Sequence, residues 1–96
     1  MIDLEPQYLS TVRAVLDAVV PGVSVSAFGS RVTGRAKKHS DLDLALQGAQ
    51  PLDWRLLASL REAFEESDLP FRVDLVNWSS CSALFKANAG PLMSLE

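Results

Sequence analysis

Three short patterns in this chain carry residue types that could do chemistry. Gly29 and Ser30 close an apolar run at Phe28, Asp41 and Asp43 alternate with leucines in the next apolar run, and Asp74 interrupts a third, Phe-Arg-Val-Asp-Leu-Val. A glycine after a strand lets the backbone bend so that consecutive amides face an anion, and the Ser30 hydroxyl would add a further donor. Two aspartates at positions i and i+2 of a strand point the same way, roughly 6.6 to 7 Å apart. Both can then reach one or two magnesium ions, which take hard oxygen ligands from one or two carboxylates together with phosphates and water. Asp74 would complete the set if its strand lies beside that of Asp41 and Asp43, because three carboxylates so close repel one another unless a cation sits between them. Taken singly, Gly-Ser is a common turn and Asp-x-Asp a common solvated strand face. The three together point to phosphate and metal chemistry.

The elements that must position these residues follow from periodicity. Leu9, Val12, Leu16, Val19 and Val20 recur at helical spacing, which predicts a helix from Pro6 to Val20 stopped by Pro21-Gly22. Val23 to Phe28 alternates as a strand, residues 31 to 40 read as a helical turn followed by a polar loop, and Asp41 to Gln47 is a strictly alternating second strand. After a turn at Gly48 to Gln50, Pro51 opens a helix whose apolar side is Leu52, Leu56, Leu57, Leu60 and Phe64, ending at Asp68 to Pro70. Phe71 to Val76 is a third strand, and Ser79 or Ser80 caps a short helix that runs through Asn88 and stops at Gly90-Pro91. This order predicts one α+β (α/β-like) domain over residues 1–96, with a small mixed sheet of about three or more strands packed with helices. Strand directions do not follow from periodicity.

Composition bounds the function. The 96 residues suffice for one modest core, and 48% hydrophobic with 22% charged residues is the balance of a globular protein. A net charge of -3 argues against general nucleic-acid binding, while Arg31, Arg35, Lys37 and Lys38, with His39, make one loop locally basic, which suits a small anion such as a nucleoside triphosphate. Cys81 is the single cysteine, so a disulfide framework is excluded and a reducing cytoplasm fits. No apolar run approaches the roughly 20 residues that span a bilayer, and the N-terminus does not read as a secretion signal. His39 and Cys81 read as ordinary loop and packing residues, and Trp54 and Trp78 as core or interface, Trp78 being able to stack on a base if it borders the groove.

Gly29-Ser30, the Asp41-Leu42-Asp43 strand and the later Asp74 together resemble the polymerase-beta-type nucleotidyltransferases, and the short chain is similar to their minimal branch, the MNT proteins encoded beside HEPN-domain partners. The resemblance covers nearly the whole chain. It implies a magnesium-dependent enzyme, with two ions, that moves AMP from ATP to a protein hydroxyl. Asp41, Asp43 and Asp74 would be its catalytic metal ligands, Asp74 also the base, and Gly29, Ser30, Arg31 and Ser40 would bind the nucleotide. It further implies a cytoplasmic antitoxin that AMPylates and neutralises a HEPN ribonuclease toxin, in a homo- or hetero-oligomer. A contact-only antitoxin and a transferase for a small hydroxylated molecule are the alternatives. Larger relatives carry a C-terminal region that helps bind base and acceptor, so the C-terminal Leu92, Met93 and Leu95 are expected to help contact a partner.

Overall fold

A computed structural model of the chain describes residues 2–37, 40–48, 50 and 52–95. Helix α1 (Pro6–Val19) leads to strand β1 (Ser24–Phe28), the short helix α2 (Ser30–Thr33), strand β2 (Leu42–Gln47), helix α3 (Trp54–Glu65) and strand β3 (Val73–Asn77). A 3-10 turn (Trp78–Ser80), helix α4 (Ala83–Ala89) and the two-residue strand β4 (Met93–Ser94) complete it. Among the described residues the strands form one mixed sheet in the order β3-β2-β1-β4. β1 pairs antiparallel with β2 and β4, and β2 pairs parallel with β3 across the α3 crossover.

The two-residue period of the strands divides the sheet into unlike faces. Val25 and Ala27 of β1, Leu42, Leu44 and Leu46 of β2, and Val73 and Leu75 of β3 meet Val12, Leu16 and Val20 from α1 and its end and Leu60 and Phe64 of α3 in one core. Leu42, Leu44, Leu60 and Val12 are fully buried there, each contributing about 1.5–3 kcal/mol of transfer free energy. The opposite face carries Phe28, Asp43, Ala45, Asp74 and Val76.

Several boundaries move for local reasons. The Asp53 side chain accepts from the Arg55 amide and starts α3 at Trp54; the expectation for Pro51, like those for Lys38 and His39, lies outside the described residues. Ser82, rather than Ser79 or Ser80, caps the last helix by accepting from the Phe85 amide, because Trp78–Ser80 wind into the 3-10 turn first. The C-terminus differs most from expectation. Met93–Ser94 add β4 to the sheet, Leu95 is only 5% exposed in the core, and Arg13 Nε donates to the Leu95 carbonyl at 2.6 Å, so Leu95 is held inside the domain rather than offered to a partner. Trp54 is exposed, not core.

Candidate active site

Gly29 is the pivot between β1 and α2. Its φ of +80° is a backbone conformation that side chains resist. A Cβ built on it would also run into the Asp43 carboxylate, whose Cγ lies 3.3 Å from that position. Glycine is therefore required twice over, and the turn backbone is pressed against an aspartate. The Val32 and Thr33 amides both donate to the Gly29 carbonyl at 3.0 Å. The Ser30 and Arg31 amides precede this first helical bond, at the start of α2.

Register brings the second element in. Asp43 is the partner of Phe28 across the antiparallel ladder and of Asp74 across the parallel one, so the two carboxylates are neighbours on the same face. Burial pushes the Asp43 carboxyl up from its ordinary 3.8 to about 6, and the nearby charges of Asp74 and then Asp41 push it the same way. Asp41 stands just before β2 with its Oδ2 3.5 Å from Arg72, an ion pair whose arginine is 79% exposed. Among the described residues the carboxylates are not drawn into a finished three-ligand cage. Asp43 and Asp74 lie side by side while Asp41 pairs with Arg72. A half-buried carboxylate with a raised pKa next to two others is a donor set that a divalent cation fits, since magnesium needs only one or two protein carboxylates beside phosphate and water.

Arg31 and Ser40 lie behind the turn. Arg31 is 7% exposed; its Nε and Nη2 donate to the Ser40 carbonyl at 3.1 and 2.9 Å, its Nη1 to the Asp3 carbonyl at 2.9 Å, and its guanidinium stacks 4.3 Å from the Phe71 ring centre. The Ser40 hydroxyl accepts from the Lys37 amide at 2.7 Å. The pair thus clamps the loop between α2 and β2 to the N-terminal segment, whose Asp3 amide donates back to the Arg31 carbonyl. Sequence reasoning missed this clamp, because a lone arginine in a basic loop has the same local pattern as a solvated one. It also missed the Arg72–Asp41 pair, which the i-2 spacing of Arg72 from Asp74 could have suggested once strands β2 and β3 were known to be parallel.

Comparison with known proteins identifies the family. Residues 22–90 match the family described as polymerase beta, nucleotidyltransferase. The chain belongs to that nucleotidyltransferase family. It is 49% identical, over 88% of its length and 75% of the relative's, to the probable protein adenylyltransferase MntA of Haemophilus influenzae. A solved toxin–antitoxin structure with AMP-PNP superposes with a TM-score of 0.63 at 25% identity, covering 92% of this chain and 72% of the other. A mutant MntA-HpeT toxin–antitoxin structure gives 0.57 at 27% identity, covering 88% and 69%. This nucleotidyltransferase domain carries an acidic face beside its Gly-Ser turn.

Proposed function

We propose that this chain is a magnesium-dependent protein adenylyltransferase. It moves AMP from ATP to a hydroxyl of a protein partner, in the cytoplasm, and the partner is a HEPN-domain toxin that it neutralises. The observation that carries the reading is the register match of Asp43 with Asp74 directly against the Gly29 turn. The relative named as a protein adenylyltransferase and the toxin–antitoxin structures support the choice of reaction and partner. Among the described residues no helix is long and apolar enough to cross a membrane.

The acceptor oxygen forms a bond to the α-phosphorus as the bond to pyrophosphate breaks, and the acceptor proton must leave. Asp41, Asp43 and Asp74 would hold magnesium, which when bound neutralises phosphate charge and favours the attacking oxygen. Asp74, on the edge strand β3, would take the acceptor proton. The Ser30 and Arg31 amides and the Ser30 hydroxyl would hold phosphate, while the Arg31 and Ser40 side chains act from behind by fixing the turn. Replacing Asp41 and Asp43 together by Asn is expected to abolish transfer of label from α-labelled ATP to the partner. Labelling that survives in the double variant contradicts the reading, and neutralisation without any labelling in the unsubstituted protein points to contact alone.

A further inference from the structure

Phe28 immediately precedes the Gly29 turn and lies on the carboxylate face opposite Asp43, yet it is 7% exposed. Its cover comes from after β3. The Trp78 ring sits 5.9 Å from that of Phe28, tilted by 52°, and the Phe85 ring 6.0 Å from it at 80°, while Trp78 and Phe85 meet edge-on at 6.3 Å. The Lys86 ammonium lies 5.7 Å from the Trp78 ring centre. Covering Phe28 accounts for the inner side of this cluster. It does not account for its outer side, where Phe85 remains 40% exposed and Leu84 72% exposed, with a cation over the indole.

We propose that Trp78, Phe85 and Lys86 form the seat for a purine base, reached from a triphosphate lying on the Gly29-Ser30 turn. The inference rests on the phosphate-and-carboxylate reading above and adds the part of the nucleotide that reading leaves unplaced. Continuity argues for it, because the aromatic surface begins one residue before the phosphate turn and continues along the same face of the sheet. Chemistry argues for it as well. Bases stack on aromatic rings whatever their hydrogen-bond pattern, and a purine offers the larger π surface. The Lys86 ammonium over the indole swings aside on its flexible stem as a base enters, and there it suits the acceptor ring nitrogens of a purine.

The chain has two tryptophans, and Trp54, 70% exposed at the start of α3, is not part of the Phe28–Trp78–Phe85 cluster. Trp54→Phe therefore leaves Trp78 as the sole indole reporter. In that background, with magnesium present, ATP and inorganic tripolyphosphate are titrated separately while Trp78 emission and calorimetric affinity are read. The expected result is that both bind, that ATP alone quenches Trp78, and that ATP binds about tenfold more tightly. The exposed-side substitution Phe85→Ala, and Trp78→Leu, should each remove most of that tenfold margin while leaving tripolyphosphate affinity unchanged. ATP that binds no more tightly than tripolyphosphate, with no change in Trp78 emission, overturns the base seat and leaves the phosphate site standing. If neither ligand binds, the underlying reading falls with it.

Discussion

Asp43→Asn should make the metal-free protein more stable near neutral pH, and the effect can be worked from the site. The Asp43 carboxyl is raised from 3.8 to about 6 by burial and by its acidic neighbours. A raised carboxylate favours the protonated form in the folded state, so its contribution is fully present below the unfolded value and is lost as pH climbs through about 6. At about 1.36 kcal/mol per unit, the shift corresponds to roughly 3 kcal/mol. Because the side chain is only half-buried, solvent screening reduces this to about 1–2 kcal/mol. Asparagine is nearly isosteric and cannot ionise. Above about pH 7 with chelator present the variant should melt higher than the unsubstituted protein by about 5–10 °C, and the gap should close near pH 4. Adding magnesium should raise the melting temperature of the unsubstituted protein and not of the variant. A variant that is less stable at neutral pH, or a gap that persists unchanged at pH 4, refutes the electrostatic account of this site.

Gly29→Ala combines strain at positive φ, about 1–3 kcal/mol, with a collision against the Asp43 carboxylate, and a shift of that carboxylate should lower transfer by about 100-fold. Gly34→Ala, with the same φ sign but open space around it, should lose stability without comparable loss of activity. Arg31→Lys should destabilise by about 2–3 kcal/mol in denaturant titration, nearly as much as Arg31→Ala, because a single ammonium cannot replace the fork that reaches Ser40 and Asp3. Arg72→Ala should change stability by less than about 1 kcal/mol, since the pair is largely exposed. It frees Asp41, however, so calorimetry should find manganese bound several-fold more tightly, and weaker binding would contradict the competition.

The leucine alternation of β2 made that strand readable, because Leu42, Leu44 and Leu46 must all enter one core while Asp43 points the other way. The same period placed Asp74 opposite Val73 and Leu75. What the period could not supply was direction, and the match of Asp43 with Asp74 exists only because β2 and β3 are parallel and in that register. Strand β4 was out of reach for a different reason: two residues carry no periodicity, and Met93–Ser94 become a strand only through β1. Trp78 shows the middle case. Its type suggested stacking, but Phe28 comes from a distant part of the chain, and the three rings of Phe28, Trp78 and Phe85 meet only in the folded domain.

Nucleotidyl transfer by the acidic face around Asp43 and Asp74 can be tested on the partner itself. Its most direct test incubates the chain, magnesium and the partner protein with ATP labelled at either the α- or the γ-phosphate. The partner should be labelled from the α-position only, and chelator, Asp43→Asn or Asp74→Asn should each abolish that labelling. Label arriving from the γ-position, or α-label persisting in both variants, would contradict it.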